Sequence, residues 1–423
     1  MNIVMMSNTY KPFVGGVEKS IEIYTHELRK QGHKVLIVAP EYEDYTNDDY
    51  GVFRIPAVQN FNGTDFPVPL PLTGALKRRL KEYRPDIVHA HHPFLIGDTA
   101  QRVAAQFSIP IVFTYHTAFE DYTHYVPGDS PALKKFVKQL AVGYANMCNT
   151  VIAPCRDVRD ELKESGVRNT IRILPTGIYT DRFQTGDGEA FRRKFDIPGE
   201  RKLLGFVSRL APEKNSTFLA EAVAEYMVHT EDAHFAVAGK GESREVFEDI
   251  FTQRGIADRL HLTGVLEGTD LADAYHAFDV FVYASKTETQ GLVIAEAMAA
   301  GVPVTALSAR AVKNIIRDEY NGKLVYTEDI HAFAEAIDWY FSRSQEKKDM
   351  LKKGALDTAE NYSIDTTCHT LLTIYESVIT TETSAPTDED MHGITTTKKR
   401  ISRELKLLKN FLSATGEAMG KGV

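Results

Sequence analysis

The chain has 423 residues, of which 43% are hydrophobic and 25% charged, with a formal net charge of -9. That length exceeds one ordinary core and sets two domains as the expectation, within the composition of a soluble globular protein. The acidic balance argues against nucleic acid as a partner, no apolar run reaches the ~18 residues of a spanning helix, and Cys148, Cys155 and Cys368 lack disulfide-framework or metal spacing and read as reduced thiols.

Residues 2–6 read as a first strand rather than a signal peptide, because no basic region precedes them. Gly15 and Gly16 follow, a pair that lets backbone approach a ligand closely in front of a helix N-terminus. A helix is expected over 17–31, with Val17, Ile21, Tyr24 and Leu28 on one face. Strand patterns then fall at 34–39, 86–90, 109–115, 150–153 and 171–174, with helical stretches between most of them. Two strand ends carry histidines, His89-Ala90-His91-His92-Pro93 and Tyr115-His116-Thr117, with no acidic or cysteine partner at metal spacing. Lys77, Arg78, Arg79 and Lys81 read as a solvated basic face.

Ser130-Pro131 opens a further helix, a capping residue followed by proline at the first position. Leu133, Phe136, Val137, Leu140, Ala141 and Tyr144 share one of its faces, with Lys134, Lys135 and Lys138 off it. Such a helix can lie on anionic lipid or bury its apolar face in a core, and both readings stay open.

Pro175, Thr176 and Gly177 mark the expected boundary between a domain at 1–180 and a second at 181–365. The alternation restarts with strands at 202–208, 234–238, 260–263, 279–284 and 302–306. Together the two series specify an α/β fold of two Rossmann-like parallel sheets, with a ligand expected in the cleft between the domains. Arg209 and Lys214 flank the loop after the first of these strands, where cations can stabilise a departing phosphate. After 279–284 comes Thr287-Glu288-Thr289-Gln290-Gly291-Leu292, and a helical pattern runs from Gly291 to a stop at Gly301-Val302-Pro303. Glu288 then lies in a loop above a helix N-terminus, and Glu296 about two turns into the helix near the same side. Two hydroxyl acceptors flanking a phosphate cradle suit a nucleotide sugar.

Residues 381–390 read as a flexible linker, so that 381–423 forms a tail outside the two domains. The tail carries a basic helix over 398–412. Ile401, Leu405, Leu408 and Leu412 are spaced for one face, and Lys398, Lys399, Arg400, Arg403, Lys406 and Lys409 surround it. It reads as a surface anchor or a partner helix.

The spacing of Glu288 and Glu296, with Glu-Ala-Met-Ala-x-Gly behind it, closely resembles the Glu-x7-Glu motif of retaining glycosyltransferase family 4. The strand–Arg–x4–Lys element through Arg209 and Lys214, and the Gly-Gly loop after the first strand, match that family too. The resemblance covers roughly residues 1–380. It implies the GT-B fold, two Rossmann-like parallel-sheet domains facing a central cleft, with a helix near 366–380 crossing back to the first. It also implies that Arg209, Lys214 and the Gly16 loop hold a donor diphosphate. Glu288, with Gln290, Gly291 and Leu292, would hold the sugar, and Glu296 the ribose. His116 would stand beside the donor sugar, giving His116, Glu288, Arg209 and Lys214 as the catalytic set, with no metal or other cofactor required.

Tyr115-His116-Thr117, the following Glu120-Asp121-Tyr122-Thr123-His124-Tyr125, and Glu-Thr-Gln-Gly at 288–291 are similar to the diacylglycerol glucosyltransferase branch. That implies glucose transfer from UDP-glucose to 1,2-diacylglycerol at an anionic membrane surface, on the cytoplasmic side of the plasma membrane. His91, His92, Tyr122, Lys134, Lys135 and Lys138 would then lie on the acceptor or membrane side. Gln290 stands where many relatives carry an aromatic, a departure that fits the glycolipid branch. A phosphoinositide, polysaccharide or small-sugar acceptor, or another donor nucleotide, would preserve the same motifs. A catalytically silent nucleotide-sugar sensor is the rival outside the enzymes. A dinucleotide dehydrogenase is disfavoured, because neither half shows Gly-x-Gly-x-x-Gly after its first strand.

Overall fold

Short apolar runs bounded by turns become parallel strands buried on both faces, because each crossover helix covers sheet on its way to the next strand. The computed structural model describes residues 1–13, 15–43, 45, 51–59, 68–69, 74–120, 123, 130–383 and 392–419. The chain divides into two units, Met1–Pro175 with Thr367–Val423, and Thr176–Thr366.

The first unit contains β1 (Asn2–Met6), β2 (Lys34–Pro40), β3 (Val52–Ile55), β4 (Ala57–Val58), β5 (Val68–Pro69), β6 (Ile87–Ala90), β7 (Ile111–Thr114), β8 (Thr150–Ala153) and β9 (Thr170–Ile173). Seven of these form one parallel sheet in the order β3-β2-β1-β6-β7-β8-β9, and β4 and β5 pair separately as a short antiparallel ribbon. The second unit contains β10 (Lys202–Val207), β11 (Ala233–Ala238), β12 (Leu260–Gly264), β13 (Val280–Tyr283), β14 (Val304–Leu307) and β15 (Gly322–Val325). These form a parallel sheet in the order β12-β11-β10-β13-β14-β15. Its core is rich in aromatics, with Phe206, Phe235, Phe247, Phe251, Phe281 and Tyr283 all buried.

In each sheet the order reverses beside the unit's first strand. β1 lies between β2 and β6, and β10 lies between β11 and β13. Connections leaving the two sides of such a strand go to opposite faces, which opens a crevice beyond its carboxyl end. Gly15, Gly16, His91 and His92 in the first unit, and Arg209, Lys214 and Glu288 in the second, follow the strands that flank these points.

The helix Ile364–Thr383 joins the first unit from Thr367 onward. Its Tyr375 hydroxyl lies 2.6 Å from Nδ1 of His89 on β6, whose Nε2 is 2.6 Å from Oγ1 of Thr114 at the end of β7. Both His89 and Tyr375 are buried, so this pair is a polar bolt through the core. The tail helix His392–Ala418 packs on the helices Ile96–Phe107 and Pro131–Ala145. Of the expected linker, 384–390 lies outside the described residues.

Tyr375→Phe removes the hydroxyl and leaves His89 Nδ1 without that partner. We expect a loss of about 1–2 kcal/mol of stability, read as a lower urea midpoint at unchanged m-value. An unchanged midpoint would mean that the bolt carries no net energy.

Candidate functional site

In the second unit, β10 delivers Ser208 and Arg209 to the crevice, and a single 3-10 turn at Pro212–Lys214 follows. β13 delivers Tyr283, and the loop beyond it carries Glu288 to the helix Leu292–Ala299. Two hydrogen bonds stitch the loops together, from the Ser285 hydroxyl (3.1 Å) and the Thr287 hydroxyl (3.3 Å) to the Glu213 carbonyl. Across this seam the Lys214 ammonium pairs with the Glu288 carboxylate, with both side chains only 16% exposed. The Tyr283 hydroxyl donates to the same carboxylate oxygen at 2.7 Å. Burial alone would raise the Glu288 carboxyl above its ordinary value. The Lys214 charge and hydrogen bond, the Tyr283 hydroxyl and the Gly291 N–H together pull it below. Glu288 is therefore ionised at neutral pH.

Gly291 precedes the helix in the left-handed region, at φ 70° and ψ 50°, a conformation that glycine adopts without a Cβ penalty. The helix begins at Leu292, so Glu296 stands one turn inside it rather than two. Glu296 is buried and accepts a 3.0 Å hydrogen bond from the Tyr275 hydroxyl. The Gln290 amide donates to the Thr176 carbonyl at 3.0 Å, which fixes the loop from below. Arg209 is half-exposed and pairs with Glu213, whose own side chain is buried. Asn215, also left-handed at φ 59°, donates to Glu328 at 2.7 Å, and Lys286 pairs with the same carboxylate at 2.8 Å. The structure thus brings Lys214 and Glu288 into contact, and keeps Arg209, Gln290, Gly291, Leu292 and Glu296 on the same two segments. Sequence reasoning missed Tyr283, Glu213 and Tyr275. Tyr283 gave one faint signal, a hydroxyl-bearing aromatic at the carboxyl end of an otherwise aliphatic and phenyl strand.

In the first unit, the loop after β1 leads to Gly15 and Gly16 at the head of the helix Gly16–Lys30, and a Cβ on Gly16 would meet open space. Glu18, in the first turn, is buried, and burial raises its carboxyl against the opposing hydrogen bond of Thr9. The loop after β6 carries His91 and His92. Nδ1 of His92 accepts from the Asn8 N–H at 3.2 Å and lies 3.2 Å from the Ser7 hydroxyl, which leaves the ring proton on Nε2. His91 Nδ1 and His116 Nε2 lie 2.9 Å apart and share one proton, while His91 Nε2 is buried without a hydrogen-bond partner among the described residues. The expected residues His91, His92 and His116 therefore stand together at the switch point. Tyr122 lies outside the described residues. On the helix Pro131–Ala145, capped by Ser130 as the sequence suggests, Lys134 and Lys135 are exposed. Lys138 instead turns to Glu120 (3.4 Å) and Glu161 (3.5 Å).

Two family models match the chain, one described as Glycosyltransferase Family 4 over residues 14–182 and one as Glycosyl transferases group 1 over residues 187–357. The alpha-monoglucosyldiacylglycerol synthase of Streptococcus pneumoniae is 33% identical over 343 residues, covering 80% of this chain and 77% of that protein. The GDP-mannose-dependent alpha-mannosyltransferase of Corynebacterium glutamicum is 28% identical over 389 residues, covering 90% and 89%. Among solved structures, the sucrose-phosphate synthase of Thermosynechococcus elongatus superposes with a TM-score of 0.73 at 18% identity, covering 90% of this chain and 99% of that one. The HepE protein of Anabaena in complex with UDP-glucose gives 0.69 at 19% identity, covering 89% and 99%. These two structural likenesses speak to the fold.

The histidine layer makes a testable electrostatic statement. Burial pushes His89 down to about 3 and His92 down to about 4, and holds His91 and His116 well below the ordinary imidazole value of 6.5. Below pH ~6.5 the unfolded chain takes up protons that the folded unit refuses, so stability rises with pH and is lost as pH falls from about 6.5 towards 4. Denaturant titrations across that window are expected to show the loss. In His92→Asn, whose amide oxygen can still accept from Asn8, the slope is expected to fall by up to ~1.4 kcal/mol per pH unit. An unaltered slope would contradict a neutral, buried His92.

Proposed function

The chain belongs to glycosyltransferase family 4 and is a hexosyltransferase, and from that premise we propose that it transfers glucose from UDP-glucose, with retention, to 1,2-diacylglycerol in a membrane. The observation that carries the donor half is the contact of Lys214 with Glu288 at the β10–β13 switch point, where a nucleotide is expected in a doubly wound sheet. In this reading Arg209 and Lys214 stabilise the diphosphate as negative charge builds on it. Glu288, ionised, accepts from sugar hydroxyls, and Glu296 from the ribose. The N–H groups at the head of the Leu292–Ala299 helix face the same anion.

Glu288 already shares its charge with Lys214 and Tyr283. That favours a binding role over covalent attack, because a nucleophile must be free to approach the anomeric carbon. The reading therefore adopts attack on the face that the phosphate leaves, with the departing phosphate taking the acceptor's proton. Cations from the protein fill the role a divalent ion would otherwise have.

The acceptor half rests on the 33% identity with the pneumococcal lipid glucosyltransferase. It carries a location with it, peripheral at the cytoplasmic face of the plasma membrane. Among the described residues no helix is long and apolar enough to cross a membrane. The mannosyltransferase relative, aligned over 90% of the chain, favours a second reading in which GDP-mannose is the donor.

Labelled UDP-glucose supplied with diacylglycerol in anionic liposomes is expected to yield labelled lipid with the wild type. Glu288→Ala and Lys214→Ala are each expected to reduce the rate at least about a hundredfold. Lipid labelled from GDP-mannose but not from UDP-glucose would overturn the donor. Label released only as free glucose would overturn the acceptor.

A further inference from the structure

An amphipathic helix on a protein surface ordinarily turns its apolar stripe inward. The tail helix instead leaves an apolar stripe facing outward. Arg403, Asn410 and Ala414, at helical spacing, form the face that docks. Arg403 donates to the Gln101 amide oxygen at 2.5 Å and to the Met147 carbonyl at 2.8 Å, and Asn410 donates to the Leu140 carbonyl at 3.0 Å. Asn410 sits so close over Gly143 that a Cβ there would lie 1.6 Å from its side-chain oxygen. Ala414 is buried. Glu404 pairs with Arg102 at 2.7 Å, and Phe411 meets Phe136 edge to face at 5.7 Å. About half a turn away, Ile401 (57%), Leu405 (60%), Leu408 (57%) and Leu412 (59%) form a ridge that points away from the unit.

Beside the ridge a groove of about 440 Å³ runs between the tail helix and the segments carrying Ser108 and Asn149, lined by Lys398, Lys399, Arg403 and Lys406. None of the three lysines forms an ion pair among the described residues, and Lys398, Lys399, Lys406 and Lys409 are all exposed. Three lysines gathered along one groove beside the docked Arg403, with polar Ser108 and Asn149 opposite, make a receptor for a phosphate group.

We propose that the docked tail helix is a seat for an anionic phospholipid bilayer, its Ile401–Leu405–Leu408–Leu412 ridge entering the acyl boundary while the lysine groove takes a lipid phosphate. Apolar ridge and cationic groove side by side reproduce the layering of a bilayer interface, where hydrocarbon lies directly beneath phosphate. A second copy of the chain fits less well, since it would bring the same lysines against these and oppose like charges. The docked face matters as much as the ridge, because a helix already held by Arg403, Asn410 and Phe411 does not have to fold on the lipid. The inference rests on the lipid-acceptor reading for its purpose, and its test involves no turnover, so that the two fail separately.

The test is flotation of the full chain with vesicles of phosphatidylcholine alone or mixed with phosphatidylglycerol, without donor or diacylglycerol. The wild type is expected to float with the anionic vesicles and far less with the neutral ones. Lys398→Gln with Lys406→Gln is expected to weaken anionic binding about thirtyfold, at about fivefold per lysine. Leu405→Ser with Leu408→Ser is expected to weaken it at least about tenfold. The substituted side chains are exposed, so melting temperatures are expected to match the wild type, and the two pairs alter different features of the surface. Equal flotation of the wild type and both variants would overturn the proposal. So would a dimer lost in the leucine variant with flotation unchanged, which would assign the ridge to a second copy. Protection of Lys398 and Lys399 from acylation by inorganic phosphate, with no vesicle binding, would assign the groove to a dissolved anion and overturn it likewise.

Discussion

The ion pair between Lys214 and Glu288 is the constraint on which the second unit's chemistry depends. Both side chains are largely withdrawn from water, so each charge is tolerable only because the other is present. The Tyr283 hydroxyl and the Gly291 N–H absorb part of the desolvation by donating to the carboxylate. The pair joins the loop after β10 to the loop after β13, and those strands are neighbours at the point where the sheet order reverses. Deleting one partner leaves a buried charge, a loss of about 3–5 kcal/mol in comparable settings. The loops are therefore held in register by the same groups that present charge to the crevice.

The first unit solves the same problem with neutral groups. β1 and β6 flank its switch point, and the loops beyond them are tied through Ser7, Asn8 and His92 rather than through an ion pair. Burial keeps the histidine layer uncharged, so each ring has one donor and one acceptor nitrogen. The His91–His116 and His89–Tyr375 contacts then couple the tautomer of each ring to that of its partner. A charged layer would repel itself and attract a counter-ion. A neutral one can face a sugar or lipid hydroxyl without ordering extra solvent.

Much of this architecture was legible in the sequence. The strands at 2–6 and 150–153 have the bounds that the apolar runs suggest, and most others shift by one or two residues. The short β4 and β5, and β3 and β15, were not read. β3 is interrupted by Arg54, which donates to the carbonyls of Pro40 and Lys11, and β15 has only four residues, with Lys323 paired to Asp318 and Glu319. Both are edge strands, whose polar residues face partners that periodicity cannot see. The contact between Lys214 and Glu288 joins residues far apart in sequence, and motif spacing supplied each member but not its partner. Tyr283 and Glu213 escaped because a buried aromatic and a turn carboxylate look structural until their neighbours are known. The spacing of the tail ridge was legible, but its direction was not. Remote partners such as Gly143, Gln101 and the Leu140 and Met147 carbonyls decide that the face of Arg403 and Asn410 docks.

The most direct test of the central claim is a double-mutant cycle on donor binding. Calorimetric affinities for UDP-glucose would be measured for the wild type, Lys214→Met, Glu288→Gln and the combined variant. The account predicts that each single change weakens binding at least about tenfold and that the two are coupled by more than ~1 kcal/mol, because each group positions the other. Donor affinity that is unchanged in the single variants, or losses that simply add, would contradict it.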